Sequence, residues 1–251
     1  MLKFILVTNI YANIMNLIKK LMSRQASSPA YSFRAKKEEK DELCVSIINS
    51  SSPRAGFYLL LSLSTLIVVA GLIKNSVILI IGGMLVAPLL SPILSISLSL
   101  AIMDFKILIR SVLIFLISAL TSMLVAIVIG LLVQFDLQNI ELLKLMHTFD
   151  VYSWLIPIAA GAAASFTWAK KDLSSSLPGV AVTVTLLPPL AAMGLALSQN
   201  NYLYFWDSFV IYFLNVSGII IGSLAIFLLM GFHKSAKTVA TQVEIEEKKE
   251  D

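Results

Sequence analysis

The chain has 251 residues, 58% hydrophobic and 14% charged, with a mean hydropathy of +0.88 and a formal charge of +4. That apolarity excludes an ordinary soluble domain and points to an integral membrane protein. The positive balance is no nucleic-acid signature, because Lys and Arg stand at the ends of apolar blocks rather than on one basic face, so no nucleic-acid partner is expected.

Residues 1–52 precede the apolar blocks. Ile10, Ile14, Leu17, Ile18, Leu21 and Met22 fall on one helical face, with Asn9, Asn13, Asn16, Lys19 and Lys20 on the other. This predicts an amphipathic helix on the cytoplasmic leaflet, since the stretch lacks the small-residue site of a cleaved signal. A polar linker follows, with the charge run 36–42. The single cysteine, Cys44, permits no intrachain disulfide, and there is no Cys/His cluster for a metal. No cofactor is expected.

Six membrane spans follow within 53–233, at 57–73, 76–103, 111–133, 151–169, 178–198 and 208–232, against the roughly 20 residues that cross a bilayer; the second overshoots a straight crossing, which suggests a break or a tilt. Arg54, Lys106, Arg110, Lys170, Lys171, Lys234 and Lys237 gather on one side of these spans, while the other side carries only Lys74 and Lys144. By the positive-inside rule both termini are cytoplasmic, in a cell (inner) membrane, and 234–251 forms a charged tail. The histidines, His147 and His233, stand at span edges and read as interfacial residues.

The second and fifth spans carry a related segment. GMLVAPLLSPILSISLSLA at 83–101 and GVAVTVTLLPPLAAMGLAL at 179–197 pair Gly83 with Gly179, Pro92 with Pro188 and Leu94 with Leu190. Proline within a span breaks the helix and frees carbonyls, which only protein or a wet cavity can receive. Three spans per copy force the copies to insert in opposite directions, so the fold expected is an all-α membrane protein with six spans, a 3+3 inverted repeat and two broken helices.

The stretches 75–104 (NSVILIIGGMLVAPLLSPILSISLSLAIMD) and 173–197 (LSSSLPGVAVTVTLLPPLAAMGLAL), with the apolar runs around them from about 53 to 231, resemble the DUF389 family of prokaryotic "uncharacterised hydrophobic domain" membrane proteins. The resemblance implies a multi-span helical membrane protein and supplies no catalytic residue. Family members often carry a larger soluble domain ahead of the membrane part, where this chain has about 50 residues.

At the first break, Ser91 followed by Pro92 has the grammar of a helix start, with Ser as N-cap and Pro at the first helical position, and Pro88 disrupts the incoming helix. Pro188 and Pro189 are the counterparts at the second. Two half-helices starting near Pro92 and Pro189 would aim their amide ends at the membrane centre from opposite sides, which favours an anion or an electron-rich polar group. Cation coordination by the freed carbonyls is the competing possibility. No Asp or Glu lies inside a span, which tips the balance toward the anion. Ser91, Ser95 and Ser99, with Thr183 and Thr185 in the second copy, either line a solute path or allow close helix packing.

Ser118, Ser122, Ala126 and Gly130, the Gly218/Gly222 pair and the small residues of 159–164 read as packing faces, one of which could serve a homo-oligomer. Asn215, an amide in mid-span, bonds an exposed carbonyl at a break, orients a substrate, or crosses to a neighbouring subunit. Asp104, Arg110 and Asp172 are either solvated edge charges or a gate. No catalytic constellation stands out, so an enzyme is not expected.

These readings converge on a transporter or channel-like permease for a small polar or anionic solute, bound near the midplane between Pro88, Ser91, Pro92, Ser95, Thr183, Thr185, Pro188, Pro189 and Asn215. The alternative is a non-transporting oligomeric scaffold or stress-associated membrane protein, kinked for packing. A hydrated cavity between 88–95 and 183–189 would favour the first, and a dry, packed midplane the second.

Overall fold

A chain without access to water must close its backbone hydrogen bonds internally, and helices do so within each segment. The computed structural model describes residues 54–141, 152–170 and 185–232, together with 43, 46 and 47. The amphipathic segment, nearly all of the linker, residues 171–184 and the charged tail lie outside the described residues.

Among the described residues every regular element is helical: α1 (Ala55–Ile73), α2 (Val77–Val86), α3 (Leu90–Ile102), α4 (Phe105–Leu132), a single 3-10 turn (Leu137–Asn139), α5 (Tyr152–Ala169), α6 (Leu187–Ser198) and α7 (Tyr202–Leu229). Of these, α1, α4 and α7 are long and apolar enough to cross a membrane, and α2 with α3 makes a fourth span if the bent pair counts as one. The expectation of six spans is therefore met only in part. α5 is diluted by Pro157, Gly161 and several hydroxyl residues, because it is shaped to fit α7, and α6 has only 12 residues.

Proline explains the break between α2 and α3. Its ring pushes the preceding residue out of helical geometry, and Ala87, before Pro88, is extended at φ −69°, ψ 125°. The two helices meet at 54°.

The other boundaries are set by caps. α4 and α7 each begin six residues before the predicted 111 and 208, because Asp104 accepts from the N–H of Lys106 and Ile107, and Asn201 from the N–H of Tyr204. These caps carry the helix through charged residues that hydropathy excludes. Asp104 is thereby engaged as a helix cap through one carboxylate oxygen, and Asp172 lies outside the described residues.

The same turn follows α1, at Asn75 (φ 51°), and recurs after α3 and α6. After α3, Met103 is left-handed (φ 59°) and the Asp104 N–H bonds the Ser99 carbonyl at 3.1 Å; after α6, Asn200 is left-handed (φ 55°) and the Asn201 N–H bonds the Ala196 carbonyl at 2.9 Å. Both are Schellman-type endings, and each leads into a 28-residue helix. The starts of α3 and α6, the left-handed residues, the caps and the long helices all repeat at an interval of 97. Pro92 thus corresponds to Pro189, one residue away from the pairing with Pro188 that the apolar runs suggest. Such runs tolerate a one-residue slip that capping geometry does not.

Side-chain bonds fix the directions. Asn75 donates to the Asn139 carbonyl (2.8 Å) and accepts from the Glu141 N–H (2.9 Å), and Gln199 donates to the Phe135 carbonyl (2.7 Å), so α1, α4 and α6 all end on one side. A Cβ on Gly194 would meet Ala126 and one on Gly130 would meet Ser198, so α6 runs parallel to α4. α3 turns back into α4 and shares a 2.7 Å hydroxyl bond with it, Ser95 to Ser111. α3 and α6 therefore run in opposite directions.

α3 and α6 each pack against both long helices, α1 also packs on α4 and α6, and α5 lies along α7. The α5/α7 contact is close enough to need glycine. A Cβ on Gly222 would run into the Ile158 carbonyl, and one on Gly161 would sit 2.7 Å from the Ile219 Cα. The Gly218/Gly222 face is thus consumed inside the chain. Gly222→Ala is expected to force these backbones apart and destabilise the protein by about 1–3 kcal/mol, seen as a lower apparent Tm in detergent.

Candidate functional site

The middle of the molecule is built from the starts of α3 and α6. Each opens with Leu-Leu-x-Pro, at Leu89 and Leu186, and neither N-cap leucine offers a side-chain bond. Leucine is among the poorest N-caps. Both are 2% exposed, so two uncapped helix ends lie in the core.

Ser91 is therefore not the N-cap expected of it. The helix begins two residues earlier than expected, at Leu90, placing Ser91 second and Pro92 third; in α6, Pro188 is second and Pro189 third. Proline suits these positions because the first amides of a helix have no intrahelical acceptor. The same substitution thins the supply of donors. α6 keeps a single N–H among its first three residues, at Leu187, whereas α3 keeps two, at Leu90 and Ser91.

Hydrogen bonds set the depth of these ends against the long helices. Ser95 meets Ser111 across the α3/α4 hairpin, and the Asn215 amide donates to the Thr185 carbonyl (2.7 Å) and hydroxyl (3.0 Å) across α6/α7. Counting back from Ser95 and on from Ser111 brings Pro92 level with Ile114, next to Phe115, and the 97-residue register carries Pro92 to Pro189 and Phe115 to Tyr212. Those two rings stack on one another, 6.1 Å apart and 6° from parallel. Phe115 and Tyr212 are themselves 97 residues apart. The two rings thus lie one residue from the level of the two helix starts.

Several of the expected site residues meet here and are packed. Ser91, Pro92, Ser95, Pro188 and Pro189 are buried, Pro88 is partly buried, and Thr185 is exposed. Thr183 lies outside the described residues. Ser95 is engaged with Ser111, and Ser99 donates to the Ile96 carbonyl at 2.7 Å. Asn215, 7% exposed, serves the carbonyl that the break at Thr185 leaves open. A cavity of about 280 Å³ lies away from this level, at the α3/α4 turn beside Leu100, Met103, Phe105 and Leu108.

Tyr212 is the residue that the sequence does not single out. Its hydroxyl is buried without a hydrogen-bond partner, and the same is true of the Ser122 hydroxyl. A mid-span tyrosine among aromatic residues reads as packing until the 97-residue register pairs it with Phe115. Among the described residues no group of His, Cys, Asp and Glu could hold a metal ion.

The pattern of the family described as "Domain of unknown function (DUF389)" matches residues 84–221, which takes in the prolines of both related segments. An uncharacterized protein of Methanocaldococcus jannaschii is 30% identical over 173 residues, covering 69% of this chain and 53% of that protein. The chain thus spans about half the length of that relative. No solved structure matches.

Replacing Asn215 by Ala leaves the Thr185 carbonyl without its donor. Loss of a buried bond of this kind is expected to cost about 1–3 kcal/mol, measured as a drop in apparent Tm that Asn215→Gln, with its longer reach, restores only in part.

Proposed function

The chain belongs to the DUF389 family of membrane proteins, and from that footing we propose a permease, carrier or channel-like, for a small polar or anionic solute bound between the starts of α3 and α6. One observation carries this reading: two uncapped helix ends, facing from opposite directions, lie at one buried level. Each end brings roughly half a positive charge. Evolution toward a merely stable bundle would cap or continue such helices, since an unpaired amide in lipid is costly.

In this reading the membrane domain has six spans arranged as a 3+3 inverted repeat. The 97-residue register supports it, as do the opposed directions of α3 and α6 and the matching partners of each half-helix. In it α6 belongs to the fifth span. Arg54, Lys106 and Arg110 stand at the starts of α1 and α4, which supports placing that end, and both termini, in the cytoplasm of a cell with this protein in its inner membrane. Thr185, exposed beside the buried start of α6, marks the edge through which solute enters; the packed residues beneath it correspond to a closed state.

The scaffold reading draws on that same packing. Ser91, Ser95 and both prolines of α6 are enclosed, and a core that never opens needs no solute. Purified protein in liposomes separates the two readings. Release of trapped nitrate or acetate above that of protein-free vesicles, with potassium and glycerol retained, is the expected result. Equal release of every solute with and without protein would leave the scaffold.

A further inference from the structure

We propose that the Tyr212 hydroxyl is a ligand-contacting donor that makes this site selective for a small monovalent anion; the inference rests on the permease reading and specifies its solute. A buried hydroxyl without a partner is costly and uncommon in a folded protein. The Tyr212 hydroxyl is in that state, on a residue 9% exposed. Its ring stacks on Phe115, which lies one residue from the level of Pro92 at the start of α3.

The 97-residue register explains why a hydroxyl stands there. On the α3 side, Ser91 keeps an N–H and a hydroxyl, and the aromatic residue next to that level is Phe115, which offers no donor. On the α6 side the position of Ser91 is taken by Pro188, which has neither, and the position of Phe115 is taken by Tyr212. The hydroxyl lost from the helix start reappears on the facing ring. Each half thus presents one hydroxyl beside its shortened row of amides, and the pattern is one of donors.

Such a set takes a ligand that accepts hydrogen bonds. No Lys or Arg lies in α3, α6 or α7, so the positive field comes from the two helix ends, about half a charge each. Their sum neutralises one negative charge and leaves a dianion in excess. A monoanion with several acceptor atoms, a carboxylate or nitrate, satisfies both the charge and the donors. Cations find no carboxylate at this level among the described residues, and the hydroxyls of Ser91 and Tyr212 offer them only neutral oxygens.

Nitrate is the probe, with sulfate and potassium as controls. The wild type is expected to show a nitrate-dependent rise in Tm and nitrate flux in liposomes, both well above those with sulfate. Tyr212→Phe removes an orphaned hydroxyl, so the variant is expected to melt higher than the wild type without nitrate, yet to need about tenfold or more nitrate for half-maximal stabilisation and flux. A tyrosine that only packs would not produce this opposite pair of effects. Ser91→Ala, which deletes the donor on the other half, is expected to weaken nitrate in the same direction and keeps the test open if Tyr212→Phe folds poorly. Wild-type nitrate affinity in Tyr212→Phe would overturn the assignment and leave the permease standing; a preference for sulfate or potassium would overturn the monoanion; no flux of any solute through the wild type would overturn the permease and the assignment together.

Discussion

The structure turns on one constraint: the backbone of α3 and α6 begins inside the apolar core, where water cannot satisfy it. Two strategies meet that constraint. Prolines at Pro92, Pro188 and Pro189 remove amides that would have no acceptor, and neighbouring side chains serve carbonyls that the breaks expose, as Asn215 does for Thr185. α3 and α6 are then enclosed nearly all round, with Ser91 to Ser99 and Leu186 to Ala196 buried without interruption. Long helices α4 and α7 make that enclosure, and they in turn expose large apolar residues such as Leu116, Leu131, Phe213 and Leu229.

The outer helices use a different economy. Between α5 and α7 the contact is made by backbone against backbone at Gly161, Gly218 and Gly222, with Ser223 donating to the Gly161 carbonyl at 3.0 Å. Small residues give close dispersion contact where lipid provides no hydrophobic drive for helices to associate. α5 consequently carries fewer large apolar groups than a free-standing span. Low hydropathy in this helix reflects a neighbour, where in a soluble protein it would suggest exposure.

Stability and function pull against each other at the central level. Phe115 and Tyr212 supply a stacked aromatic pair where two helix ends converge, which is a packing solution. The Tyr212 hydroxyl, unpartnered, works against that solution in the absence of a ligand. The 97-residue register makes the cost visible, because the residue equivalent to Tyr212, Phe115, does without the hydroxyl.

Composition and periodicity determined that the chain is helical and apolar, where its charged ends lie, and that prolines interrupt two related segments; these follow from local chemistry, since proline and hydropathy act on the residues beside them. Helix starts were less legible. Asp104 and Asn201 extend α4 and α7 through charged turns, and Ser91 lies inside α3, because caps are decided by geometry that short polar residues permit without requiring. The register of 97, the opposed directions of α3 and α6, the partner of Asn215 and the meeting of Phe115 with Tyr212 were decided only by tertiary structure. Each depends on contact between residues far apart in the chain, and apolar sequence, which reads the same after a slip of one residue, carries no record of which of its side chains will meet.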